Sequence, residues 1–233
     1  VVEVALAQKA ELYHLHDPEL LSHVDRIHKT EAKIIFDAHE DVAEDIEEKP
    51  WIPAPLRMPA SKAYTNYFKR KVKKLSGLIG VTPHQYHKLE HLCPNTAMIT
   101  NYPILPAIQE KFTRGTGEEI VLCFTGNMSS LWNLPTVAAI VEQSEGITFR
   151  VCGREVEPTL SQLKVMPGYG SRIQYLGRLP VSQAREEQRA ADVGIAALSY
   201  CRNSGWKIGT LGNTKLFEYM AMGLPVICTD FDL

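Results

Sequence analysis

The chain has 233 residues, with 25 basic and 27 acidic side chains and a net charge of −2, so no global field favours nucleic acid or an acidic surface as partner. No apolar run is long enough to cross a bilayer, no signal peptide opens the sequence, and five cysteines without paired spacing argue against a disulfide framework. These bounds predict a cytoplasmic protein of one large or two small domains.

Residues 1–9 read as the end of a helix and 11–15 as a short strand. Residues 18–28 read as a helix with Asp17 as N-cap and Pro18 at its first position. Strand 33–36 follows. Acids and prolines crowd 38–60, which is read as a long irregular stretch. Then come helix 61–75, strand 77–81, helix 83–92 and strand 97–100. Residues 102–118 hold two prolines and two glycines without periodicity and read as a linker. A second alternation begins with strand 120–124, helix 134–143, strand 147–152 and helix 158–165. Strand 172–176, helix 182–190, strand 192–197, helix 214–222 and strand 226–228 complete it. Alternation on both sides of a linker predicts two parallel-sheet α/β domains, at 1–103 and 119–233, joined by 104–118. Cys123, Cys152 and Cys228 fall in predicted strands and are expected to be small buried hydrophobes.

The most telling run is Asn213-Thr214-Lys215-Leu216-Phe217-Glu218-Tyr219-Met220-Ala221-Met222-Gly223-Leu224-Pro225-Val226-Ile227. Gly223 suits the left-handed residue that ends a helix, and Pro225 prevents the helix from resuming. The helix N-terminus would aim amides and partial positive charge at a diphosphate. Glu218, one turn in, could accept hydrogen bonds from sugar hydroxyls. This run resembles the nucleotide-sugar segment of family 4 retaining glycosyltransferases, whose glutamate holds the donor ribose; by resemblance that role falls to Glu218.

Two strand ends carry further chemistry. His14-Leu15-His16-Asp17-Pro18-Glu19-Leu20 and Asp37-Ala38-His39-Glu40 are similar to a motif pair of one bacterial branch of that family. The resemblance implies His39, and with it His16, near the transferred sugar, with Asp17 and Glu40 on the acceptor side. Read as structure alone, Asp17 is only a helix cap. His14 is expected to pack in the core. A different class of reading takes His14, His16, Asp17 and His39 as metal ligands of a hydrolase. His87 and His91, one helical turn apart, are read as an exposed helix face.

The same resemblance implies a GT-B fold: two Rossmann-like doubly wound domains, with the donor held by the second. Each series falls short of about six strands, so the chain is expected to be truncated at both ends. The family's usual pair of phosphate-binding cations is replaced by Asn127 and Asn133 in the turn after residue 124. Gly126 still permits close backbone approach. The charge is therefore sought at Lys215, with Arg202 and Lys207 behind it. Thr210 replaces a first acidic residue of the family pattern and is placed, with Thr214, on the donor wall. Arg154, after Gly153, and the Gly177-Arg178 pair resemble strand ends that open onto the cleft.

The implied reaction moves a sugar from a nucleotide-sugar donor to a glycan or lipid-linked acceptor, needs no metal or other cofactor, and proceeds with retention. Lys69, Arg70, Lys71, Lys73 and Lys74 form a basic stretch that could lie on an anionic membrane at the inner face. The alternative from another class is a non-catalytic nucleotide-sugar or glycan-binding subunit, favoured by the missing cations.

Overall fold

A computed structural model describes residues 2–49, 51–104, 119–156, 158–201, 206 and 214–231. It divides into two compact units, one built on Val1–Asn101 and the other on Tyr102–Tyr200 with Asn213–Phe231. Most of the expected linker, together with Thr210, Arg202 and Lys207, lies outside the described residues.

The first unit runs α1 (Val2–Ala7), β1 (Leu12–Leu15), a 3-10 turn at Pro18–His23, α2 (Val24–His28), β2 (Lys33–Ala38), α3 (Val42–Glu48), α4 (Ala54–Val72), β3 (Gly77–Gly80), α5 (Pro83–Leu89) and β4 (Thr96–Met98). Its four strands are parallel in the order β1-β2-β3-β4. Alternation buries Tyr13 and Leu15 of β1 and Ile34, Phe36 and Ala38 of β2 on one face, where Leu21, Val24, Ile27 and Val72 close the core. The single helix expected over 18–28 is thus a tight 3-10 turn followed by one short α-helix. Asp17 stands at its N-cap position without a side-chain cap bond; its carbonyl accepts from the Leu20 amide at 2.9 Å.

The stretch read as irregular, 38–60, is instead α3 and the start of α4. The acids and prolines that suggest an irregular chain are what start the helices. The Asp41 carboxylate accepts from the Glu44 amide at 3.0 Å and caps α3. Pro53 and Pro55 flank the first position of α4, where a fixed φ favours a helix and a missing N–H costs nothing. The buried Ser61 hydroxyl donates to Glu47 at 2.8 Å and ties α4 to α3.

In the second unit the order is β5 (Ile120–Thr125), a 3-10 turn at Ser130–Trp132, α6 (Leu134–Gln143), β6 (Ile147–Cys152), α7 (Thr159–Lys164), β7 (Ile173–Tyr175), α8 (Val181–Ala190), β8 (Val193–Ala196), α9 (Thr214–Ala221) and β9 (Val226–Cys228). Five parallel strands lie in the order β7-β6-β5-β8-β9. Successive strands build outward from β5 on one side and then restart on the other at β8. Such a reversal leaves a crevice beyond the carboxyl ends of β5 and β8, where doubly wound sheets bind ligands. Phe124, Phe149, Leu134, Leu163 and Ile173 are fully buried beneath it.

Cys123 and Cys152 are buried, and burial pushes their thiols up to about 12 and about 11. Cys228 departs from expectation: as the last residue of β9, at the end of the outer strand of its sheet, it is exposed. Among the described residues no helix is long and apolar enough to cross a membrane.

Candidate functional site

At the switch point of the second unit three strand ends meet through glycines. The Gly126 amide donates to the Cys152 carbonyl at 2.9 Å, and the Gly153 amide donates to the Gly177 carbonyl at 2.8 Å. Gly126 and Gly153 have φ of +127° and +147°, a region that favours glycine. This series of bare turns floors a cavity of about 260 Å³ lined by Gly126, Asn127, Arg154, Arg178, Arg185 and Glu218, among others.

Below the floor lies α9. Its Tyr219 is fully buried, and the hydroxyl accepts from the Thr125 amide at 3.1 Å and donates to the Ile195 carbonyl at 3.4 Å. The Gln188 side-chain amide donates to the Thr125 hydroxyl at 2.7 Å. One phenol therefore joins the ends of β5, β8 and α9. Room for its ring is made by Gly194, where a β-carbon would stand 2.6 Å from the ring.

Lys215 reaches from the first turn of α9 to the Gly126 turn, where its ammonium would lie 2.7 Å from a β-carbon on Gly126. The same ammonium sits over the Trp132 ring at 4.0 Å from the centroid and over Phe124 at 5.4 Å. Burial lowers it to about 8, an effect that the charge of Glu218 partly opposes. Below pH 8 it is a buried cation beside a glycine turn, with only aromatic faces against its charge among the contacts described above.

Of the residues picked from sequence, Gly126, Asn127, Arg154 and Glu218 line one cavity, with Lys215 against its floor. Thr214 is the exposed first residue of α9 and lies outside that lining. Asn133 does not face the cavity. It takes a left-handed conformation before α6, and its side-chain amide donates to the Ala197 carbonyl and the Ser199 hydroxyl, both at 2.9 Å. Arg178, at the strand end that the Gly177-Arg178 pair marks in the sequence, also lines the cavity, and so does Arg185, which no sequence reading singled out. The signal for Arg178 was present: Gly-Arg follows β7 as Gly-Arg follows β6. Arg185, on α8, carries no such local mark.

In the first unit the parallel register of Leu15 with Phe36 sets His16 beside Asp37. The His16 Nδ1 lies 3.3 Å from one Asp37 oxygen and the His39 Nδ1 lies 3.7 Å from the other. His14 is exposed and not in the core, because residues two apart on a strand share a face. Its ring centroid is 4.2 Å from that of His16. The convergent ligand atoms are those of His14, His16 and Asp37, so Asp37 holds the place that sequence reasoning gave to Asp17 in its metal alternative.

A cavity of about 440 Å³ opens beside these residues, lined by His16, Asp37, His39, Glu40, Glu44 and Tyr64, among others. Asp17 is not part of that lining. Lys88 donates to Asp41 at 3.0 Å and also to Glu44. Of the basic stretch, Lys71 and Lys74 both hold Asp25, which their hydrogen bonds lower to about 2. Tyr64, Tyr67 and Phe68 pack against the core and not outward.

No curated protein sequence matches the chain. Among solved structures, sucrose-phosphate synthase from Thermosynechococcus elongatus is 14% identical with a TM-score of 0.66, covering 99% of this chain and 59% of that one. Anabaena HepE in complex with UDP-glucose is 12% identical with a TM-score of 0.64, over 99% of this chain and 63% of that one. TarM is 12% identical with a TM-score of 0.62, over 97% and 42%. The chain thus spans less than two thirds of the length of each of these structures, and the likeness establishes the fold: two Rossmann-like parallel-sheet units of the GT-B kind. Residues 119–232, which include the whole glycine-floored cavity, match the family model described as glycosyl transferases group 1.

Proposed function

We propose that the protein is a retaining glycosyltransferase that moves a sugar from a nucleotide-sugar donor to a glycan or lipid-linked acceptor without a metal cofactor. The observation that carries this reading is the convergence of Gly126, Arg154 and Glu218 on the switch-point cavity, with Lys215 against its floor. The group 1 match over residues 119–232 supports it, as does the likeness to a structure that holds UDP-glucose.

In this reading the amides of the Gly126 turn, the Lys215 ammonium and the arginines stabilise the leaving diphosphate as its bond to the sugar breaks. Fixed donors of this kind act most strongly where charge develops. Glu218 receives the ribose hydroxyls, and Thr210 and Thr214 are assigned to the donor wall. A donor phosphate oxygen takes the acceptor proton. His39 and His16 position the reacting sugar, and Asp17 and Glu40 are assigned to the acceptor, Glu40 lining the cavity beside them. Lys69, Arg70 and Lys73, not held by Asp25, remain for contact with anionic lipid.

The test is thermal stabilisation by a panel of UDP, GDP, ADP, CMP and dTDP, with Glu218→Ala as control. A ligand of the native state raises its melting temperature once in excess of its dissociation constant. One nucleotide should stabilise the protein and lose that effect in the variant; silence across the panel sinks the donor-site assignment. The asparagines at 127 and 133 favour a second reading, a non-catalytic nucleotide-sugar-binding subunit. Turnover of a labelled donor by the protein removes it.

A further inference from the structure

The strand-end histidines hold an arrangement that sugar positioning does not account for. The ligand atoms of His14, His16 and Asp37 all lie within 4.8 Å of one another, and the His16 Nδ1 is 3.3 Å from an Asp37 oxygen. Two imidazoles on one strand face thus bring ring nitrogens close to the same carboxylate. Among the described residues Asp37 has only imidazole partners for an ion pair, His16 and His39.

The second oxygen of Asp37 is the independent observation. It is buried without a hydrogen-bond partner; the His39 nitrogen at 3.7 Å is too far to donate. A carboxylate oxygen stripped of water and given no donor is unfavourable unless a cation compensates it. Of the two lysines in the cavity wall, Lys88 is already held by Asp41 and Glu44, and Lys69 makes no ion pair with Asp37 among the described residues.

We propose that His14, His16 and Asp37 bind a transition-metal dication of the zinc class, and that its occupation inhibits sugar transfer. Two imidazole nitrogens and one carboxylate oxygen suit Zn²⁺ or Co²⁺, whereas Mg²⁺ and Ca²⁺ select oxygen-only sets. Bonds of about 2.0–2.2 Å require the three side chains to close inward by rotation, which the exposed His14 and His16 are free to do. A fourth position falls to water. The metal takes His16 and Asp37 away from the neighbourhood of His39, so it acts as an inhibitor and not as a cofactor.

The binding part of this inference is independent of the transfer reading, since its site lies wholly in the first unit and needs neither nucleotide nor sugar. The experiment is titration of the untagged, metal-free protein with Co²⁺, read by visible absorption, followed by displacement with Zn²⁺. A tetrahedral Co²⁺ spectrum without a thiolate band is expected; Zn²⁺ should abolish it and Mg²⁺ should not. His14→Ala should weaken binding at least about tenfold, the loss that removing even an outer-shell partner produces. Its metal-free melting temperature should stay unchanged, because His14 is exposed. Asp37→Asn should weaken binding likewise, whereas a His87→Ala, His91→Ala double variant should bind normally. Binding that survives His14→Ala, or a thiolate-to-cobalt band from a cysteine such as Cys228, overturns the site. If donor turnover is observed, Zn²⁺ should suppress it in the native protein and spare His14→Ala; equal inhibition of both overturns the inhibitory role.

Discussion

A β-carbon on Gly153 would stand 1.8 Å from the carbonyl oxygen of Gly126. The two residues directly follow adjacent strands, and both amides are fixed, that of Gly126 by the Cys152 carbonyl and that of Gly153 by the Gly177 carbonyl. No side chain can yield to relieve the contact, because both partners are backbone.

Gly153→Ala should therefore combine a backbone clash with the strain of a positive φ. A loss of about 1–3 kcal/mol is expected from the strained conformation, and more from the displaced Gly126 turn. Gly170, with φ of +86° and open space around it, separates the two effects. Urea denaturation of Gly153→Ala and Gly170→Ala should show the first to be clearly less stable. Equal losses would mean that the close approach contributes nothing.

Lys215 connects stability to ligand binding through its proton. Its folded value of about 8 lies below the ordinary lysine value of 10.5 because of burial. Between those values the unfolded chain binds more protons than the native one, so stability rises with pH across the window. Below pH 8 the cost of the buried charge is fully present, at about 3 kcal/mol from the size of the shift. Lys215→Met should accordingly stabilise the ligand-free protein at pH 7 by up to about 3 kcal/mol, with the gain fading toward pH 10.5. The same change should abolish nucleoside diphosphate binding. Binding to the native protein near pH 9 should take up a proton, which calorimetry in buffers of different ionisation heat would detect. A stability gain that does not depend on pH would exclude this account.

Arg154, Arg178 and Arg185 come from three different elements to one cavity. Each is exposed, so its removal should cost little stability, within about 0.5 kcal/mol for a surface change. Arg178→Ala and Arg185→Ala should each weaken nucleoside diphosphate binding with the melting temperature of the free protein unchanged. If Arg154→Ala alone weakens binding, the other two arginines stand aside from the ligand.

Much of the second unit was legible because its signals are local. The helix of residues 214–222, the left-handed Gly223 and the strand after Pro225 are all present, Gly223 with φ of +69°. The first unit was read less well where one composition serves two structures. Pro53 and Pro55 suggested an irregular chain, yet at a first helical turn they favour α4. Asp37 stands in the quoted motif without a role assigned to it, because it lies between Phe36 and Ala38, which are buried on the opposite face. The strand period that buries those two turns Asp37 toward His14 and His16. Arg185 was beyond reach for a different reason: only the folding of α8 against the sheet brings it to the glycine turns.

The space that Gly194 leaves for Tyr219 ties two distant positions into one heritable unit. Alanine at 194 is compatible with this packing only if the ring at 219 gives way to a smaller side chain, and that exchange forfeits the phenol that joins β5 to β8. Change at 194 is therefore closed while the ring stands, and a lineage that gains a side chain there must first give up Tyr219 and find another clasp for the switch point.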